Sequence, residues 1–276
     1  VSAPAVPQLL RAALTRRSRA HVRGTESGRA QRGEGYEFAE LRAYVPGDDL
    51  RRIDWAATAR AGTPQTRVVF EERGMLLGVC IVASPSMALG RERSNYAIAC
   101  EAAHLWFAAA SGEDRCARIE GNGVRMSTAL RGRSAAGFCT HACADAATLR
   151  SGLAIAAQAL PRGSSLLLIS DFFELDEAGA IDELLRACAR RHDLTALVAR
   201  DPWHAGLPLR GFVRLRDACS GRSARLFIDA AARERYRLAV SAREAALCAR
   251  LARCGARSGL LDGSVPRALL QALGVA

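Results

Sequence analysis

From Met75 to Ala83 the chain is continuously apolar or small, the pattern of a strand covered on both faces. Tyr96 to Ala110 carries helical spacing and stops at Ser111-Gly112. Arg115 to Glu120 and Val124 to Ala129 predict short strands on either side of the turn Gly121-Asn122-Gly123. Residues 145–160 predict a helix ended by Pro161, and Ser165 to Ser170 a second buried strand. Asp176 to Arg191 predicts a helix with acids in its first turns and arginines at its end, as the helix dipole favours. Leu194 to Ala199 predicts a third buried strand. The order β-α-β-β-α-β-α-β predicts an α/β fold, a mostly parallel sheet with helices on both faces.

The flanks read differently. Residues 1–34 are rich in Arg, Gly and Ser after one short apolar helix candidate, Pro7 to Leu14, and predict an N-terminal arm or leader. Residues 35–72 have few apolar positions and dense turn signals, Pro46-Gly47-Asp48 and Gly62-Thr63-Pro64, before a short strand at Arg67 to Phe70. Residues 73–276 hold the α/β pattern. Near the C-terminus, Phe212 to Leu215 and Arg225 to Ile228 flank Cys219-Ser220-Gly221 and predict an edge hairpin. Ala231 to Cys254 predicts a long helix with Tyr236, Val240, Leu247, Leu251 and Cys254 near one face.

Composition narrows the function classes. The net charge is +11, which invites a nucleic-acid reading. However, the chain has no lysine, so all 39 basic residues are arginine, spread in short clusters such as Arg16-Arg17-Ser18-Arg19. With abundant alanine, this pattern fits the drift of a GC-rich genome better than selection for phosphate. Aromatics are 5% of the chain, little material for stacking bases. These features argue against nucleic acid. Nine cysteines, Cys80, Cys100, Cys188, Cys248 and Cys254 among them singly inside apolar segments, read as reduced core residues. Cys139, His141 and Cys143 could face a metal at helical spacing, but no second pair follows at zinc-site spacing. No apolar run approaches the ~20 residues of a membrane span, and Val1 to Leu14 lacks a basic lead-in, so a cytoplasmic protein is expected.

Two segments carry a family resemblance. The first runs from Tyr36-Glu37-Phe38 through Leu41-Arg42-Ala43-Tyr44-Val45-Pro46-Gly47-Asp48-Asp49 and Arg51-Arg52-Ile53-Asp54-Trp55 to Ala59-Arg60. It resembles the signature of the domain-of-unknown-function fifty-eight family. The second, Ala83-Ser84-Pro85-Ser86-Met87, resembles the Asp-x-Ser-x-Ser-Met loop of that family and of von Willebrand factor A domains. Gly112-Glu113-Asp114-Arg115, Ile169-Ser170-Asp171-Phe172 and Arg200-Asp201-Pro202 also match, so the resemblance covers roughly residues 24–270. It implies a von Willebrand factor A-like fold and a protein that acts with a MoxR-type AAA+ ATPase on other proteins. It implies no catalytic activity.

The chemistry of the loop follows from cation preference. A hard divalent cation takes oxygen ligands, and an acidic side chain of a partner can complete its shell. Ser84 and Ser86 supply two hydroxyls, Asp171 a carboxylate, and Thr148, ahead of Ser151, a third hydroxyl. The leading carboxylate position holds Val82, which cannot ligate. The serines either ligate or hydrogen-bond the loop backbone as turn serines do. Loss of the carboxylate tips the expectation to no cofactor, or weakly bound Mg2+. Arg51, Arg52, Asp54, Trp55 and Arg60, packed into ten residues, are either a partner surface anchored on Trp55 or an ion-paired plug with Trp55 packed inside, and the near balance of acids and arginines favours the plug.

An enzyme is disfavoured. With no lysine there is neither a phosphate-loop nor a Schiff-base lysine. No Gly-x-Ser-x-Gly or His-Glu-x-x-His occurs, and the five histidines are scattered. The expectation is a non-catalytic interaction module. The alternatives are an arginine-driven nucleic-acid binder, or a cryptic hydrolase using Ser84 or Ser86, which has no evident base.

Overall fold

A computed structural model describes residues 6–25, 32–70, 74–82, 84–112, 114–121, 123–128, 148–175, 179–218 and 220–275. The Cys139–His141–Cys143 group, Ala83, the ends of the predicted 145–160 and Asp176–Arg191 helices and Cys219 lie outside these residues. The chain divides into two compact units, one of residues 1–21 and 75–276, the other of residues 22–74.

The larger unit is built on a six-stranded sheet. Its strands, in chain order, are β3 (Leu76–Ile81), β4 (Arg115–Glu120), β5 (Gly123–Thr128), β6 (Ser165–Ser170), β7 (Asp193–Ala199) and β10 (Arg257–Leu261). Their spatial order is β10-β7-β6-β3-β4-β5, and only the β4–β5 pair is antiparallel. Every residue of β3, β6 and β7 is buried, because each strand is covered on both faces. This is the α/β architecture that the alternation of apolar runs and amphipathic stretches predicts.

Two separate apolar layers form the core. On one face, α3 (Asn95–Ala108) and α7 (Val265–Leu273) pack Trp106, Phe107, Leu269 and Leu273 against Leu77, Val79, Leu167 and Leu197. On the other, α4 (Leu149–Ala159), α5 (Ala180–Arg191) and the second half of α6 (Ala230–Arg253) pack Leu153, Leu185 and Leu251 against Cys80, Leu166, Leu168 and Ala196. The predicted leader supplies part of the first layer. α1 (Val6–Thr25) buries Leu10, Ala13 and Leu14 there, and Arg11 pairs with the buried Asp114.

One C-terminal expectation needs correction. The predicted edge hairpin, β8 (Gly211–Arg216) with β9 (Ser223–Ile228), is a separate two-stranded sheet. The sheet edge is taken instead by β10, followed by α7, neither of which the periodicity announces. α6 follows the expected long helix: Leu247, Leu251 and Cys254 are buried, and Tyr236 and Val240 are half-buried.

The six described cysteines are free, and Cys80, Cys116, Cys188 and Cys254 are buried. Burial pushes the Cys80 and Cys188 thiols up to about 12. Both stay protonated at mildly alkaline pH, so they lack the reactive thiolate. Alkylation at about pH 8 is therefore expected to spare Cys80 and Cys188 in the native protein and to label both in denaturant. Mass spectrometry of the labelled peptides reads this directly, and native labelling of either residue would contradict the packing.

The smaller unit pairs β1 (Arg32–Ala43) with β2 (Gln65–Phe70) in an antiparallel ribbon, Leu41 opposite Arg67 and Ala43 opposite Gln65. α2 (Trp55–Ala61) lies between them in sequence and ends at Gly62, whose φ of 70° is the left-handed cap that glycine adopts without a Cβ penalty. The full extent of β1 was not expected, since its sequence shows no run of apolar residues.

Candidate functional site

The sheet order places β3 between β6 and β4. The chain leaves β3 toward β4 on one side and leaves β6 toward β7 on the other, so the carboxyl ends of the neighbouring β3 and β6 mark the switch point of the sheet, where ligands bind in open α/β folds. Ser84 and Ser86 follow β3, and Asp171 follows β6. A short 3-10 turn, Pro85–Ala88, holds the serines: the Met87 amide donates to the Ser84 carbonyl at 2.9 Å and the Leu89 amide to the Ser86 carbonyl at 3.0 Å.

The two serines and the aspartate meet. The hydroxyls lie 2.7 Å apart; Ser84 donates to Asp171 Oδ2 at 2.6 Å, and Ser86 donates to the same oxygen. The serine hydroxyls thus bond the Asp171 side chain from the neighbouring strand end, not the loop backbone. Asp171 Oδ1 accepts from the Phe173 amide at 3.3 Å. Phe172 adopts a φ of 56°, a left-handed conformation that costs a non-glycine residue roughly 1–2 kcal/mol. That turn buries the Phe172 ring completely while its neighbour Asp171 reaches the serines. The Phe172 amide is satisfied by Ser170 Oγ at 2.9 Å.

Thr148 does not join this cluster through any hydrogen bond found among the described residues. It caps α4 in a reciprocal box with Ser151 and is exposed, so its hydroxyl serves the helix end. The Leu149 amide donates to Glu174 Oε1 at 3.0 Å. Val82, at the place of the leading carboxylate, is 2% exposed and belongs to the apolar layer with Leu149 and Phe172. The donor set is thus two hydroxyls and one carboxylate. Among the described residues no group of three or more His, Cys, Asp or Glu stands close enough together to hold a metal. One charge is poor compensation for dehydrating Mg2+, so these residues do not fit a tightly held divalent cation.

Further side chains meet at the carboxyl ends of β6 and β7. Arg243 of α6 donates to the Asp171 carbonyl at 3.2 Å, and its guanidinium stacks 4.0 Å from the centre of the half-exposed Phe173 ring. Arg200, after β7, makes a two-pronged pair with Glu244 of α6 at 2.8 Å, and its carbonyl accepts from Asn95 of α3 at 3.0 Å. These contacts join elements far apart in sequence, so no local pattern could report them. The only hint was Arg200-Asp201-Pro202.

In the smaller unit, the described side chains make part of the ion pairing that the plug reading expects, with Asp54 turned to Arg67 instead of Arg51, Arg52 or Arg60, and Trp55 is exposed. Asp48 takes Arg42 at 2.5 Å, Asp54 takes Arg67 Nε at 2.8 Å, and Asp49 accepts from the Arg51 amide at 3.0 Å. Asp54 also caps α2 through the Ala57 amide at 2.9 Å. That amide and the Arg67 guanidinium hold the Asp54 carboxyl below its ordinary range. Trp55 is 71% exposed, and Leu50, Arg51 and Arg60 of the same segment are exposed too. The reason is geometric: Asp54 caps a helix whose only buried residue is Ala57, leaving the first-turn Trp55 outward.

This architecture defines an α/β protein with a hydroxyl–carboxylate cluster at the switch point of its sheet. The sequence profile of the family described as Protein of unknown function DUF58 matches residues 40–246, and the chain belongs to that family. Uncharacterized protein Rv1480 of Mycobacterium tuberculosis and uncharacterized protein Mb1516 of Mycobacterium bovis are each 34% identical over 239 residues, covering 81% of this chain and 74% of the relative. Two solved structures align more loosely. Conserved hypothetical protein BatB from Bacteroides thetaiotaomicron gives a TM-score of 0.43 at 15% identity, over 73% of this chain and 98% of that one. An aerotolerance-related membrane protein from Bacteroides fragilis gives 0.44 at 14%, over 74% and 100%. Among the described residues, no helix of this chain is long and apolar enough to cross a membrane.

Proposed function

We propose that the chain is a non-catalytic protein-interaction module of von Willebrand factor A-like build, an adaptor for a MoxR-type AAA+ ATPase in the cytoplasm. It docks partners at a former metal-adhesion end without a bound cation or other cofactor. The observation that carries this reading is the closed Ser84–Ser86–Asp171 cluster. Both hydroxyls are spent on one carboxylate oxygen. No histidine joins the cluster among the described residues: His192 lies at the opposite end of the sheet, ahead of β7, and His204 bonds the Asp201 carbonyl. A serine held this way lacks the oriented base that nucleophilic catalysis needs. In the smaller unit, the exposed Trp55, on a segment that also carries exposed Arg51 and Arg60, supplies a second, separate anchor of the aromatic and arginine kind that dominates protein interfaces.

Trp55→Ala separates docking from folding. At 71% exposure the side chain is expected to contribute under about 0.5 kcal/mol to stability, while capture of the ATPase is lost. Thermal melts and affinity capture with quantitative identification of partners check both halves. A large drop in melting temperature would restore the buried-plug reading, and unchanged capture would remove Trp55 from the docking surface.

A further inference from the structure

The β8–β9 hairpin turns its largest apolar side chains outward. Phe212 stands opposite Phe227 and Arg214 opposite Arg225. Strand alternation puts these four side chains on one face of the ribbon. Phe212 is 87% and Phe227 58% exposed, and both arginines are exposed. The other face carries the half-buried Val213 and Leu215 and the buried Ile228. Leu226, opposite Val213, is 45% exposed on that second face, so the second face is only partly covered while the aromatic one is turned out.

Two features of the outer face point to a ligand. The rings of Phe212 and Phe227 pack at 4.9 Å with a 57° tilt, forming one fixed apolar knob. Arg214 and Arg225 sit directly across the ladder from each other, a like-charge pair that destabilises a ribbon by itself. Among the described residues no carboxylate pairs with either guanidinium.

We propose that this face docks an acidic segment of another protein. Carboxylates of that segment bridge Arg214 and Arg225, and an apolar side chain beside them rests on the phenylalanine pair. Charge complementarity selects this occupant. A second copy of a chain carrying a net charge of +11 would bring arginine to arginine. A nucleic-acid strand stacks successive bases on aromatic platforms, whereas these two rings are tilted 57° to each other and share no flat platform.

Fluorescence anisotropy of the full chain tests the proposal. The probes are a labelled peptide alternating glutamate and leucine, its glutamine counterpart, and an oligothymidylate. The glutamate peptide is expected to bind at least about tenfold more tightly than the glutamine one. Arg214→Glu with Arg225→Glu should remove that preference without lowering the melting temperature, since both side chains are exposed. Phe212→Ser should weaken the glutamate peptide and its counterpart together. No binding of the glutamate peptide, equal binding of the two peptides, binding that survives arginine reversal, or tighter binding of oligothymidylate would each overturn the assignment.

Discussion

Gly259→Val is expected to destabilise the larger unit by about 3 kcal/mol or more, a fall of roughly 6–12 °C in melting temperature. Gly259 lies in β10, where α7 crosses the sheet edge at close range. A Cβ added there would stand 2.7 Å from the Ala268 carbonyl oxygen, 3.0 Å from Ala272 Cβ and 3.3 Å from Leu197 Cδ2. The first of these is helix backbone, which no rotamer change can move aside. A branched side chain must push α7 outward, opening the layer in which Val265, Ala268, Leu269, Ala272 and Leu273 are buried. Gly123→Ala is the control, since a Cβ at Gly123 meets nothing within 4 Å. Paired thermal melts decide: if the two variants melt alike, α7 does not dock as described.

Val82→Asp is the second large effect. Val82 is 2% exposed, and its amide donates to the Ile169 carbonyl at 2.9 Å, so the position is fixed between β3 and β6. A carboxylate there enters an apolar layer, shares the strand ends with Asp171, and has no cation to meet. In a chelator the variant is expected to lose about 3 kcal/mol or more. The same change adds a second carboxylate to Ser84, Ser86 and Asp171, a donor set far better suited to Mg2+. Added Mg2+ should therefore raise the melting temperature of Val82→Asp and leave that of the wild type unmoved. Ser86→Ala in the variant background should remove the metal response. A wild-type chain stabilised by Mg2+ or Mn2+, with the effect lost in Ser86→Ala, would mean that two hydroxyls and one carboxylate suffice.

The buried strands β3, β6 and β7 were legible because each is a short apolar run bounded by turn signals, which a doubly covered strand requires. β10 was not: Arg257-Ser258-Gly259-Leu260-Leu261 is short, half polar and interrupted by a glycine whose reason for being there is a helix met only in three dimensions. The cluster residues Ser84, Ser86 and Asp171 could be named from the ends of β3 and β6, since parallel strands bring their carboxyl ends together. For Thr148 the sequence was ambiguous, because a threonine before a helix satisfies a ligand pattern and an N-cap pattern equally well. The N-cap took it. Arg243 and Glu244 were illegible, since their partners Asp171 and Arg200 are decided by how α6 crosses the sheet. The exposure of Trp55 was not legible, because a balance of charges says nothing about which way a short helix presents its first turn.

The central claim is that the Ser84–Ser86–Asp171 end of the sheet docks a MoxR-type AAA+ ATPase without a metal ion. Its most direct test is affinity capture in parallel, in EDTA and in millimolar Mg2+, with partners identified by quantitative mass spectrometry. The account predicts the same AAA+ ATPase at the same yield in both conditions, and its loss when Asp171→Ala breaks the cluster in a chain that still melts cooperatively. Capture that requires Mg2+, or capture that brings down no AAA+ ATPase in either condition, would contradict it.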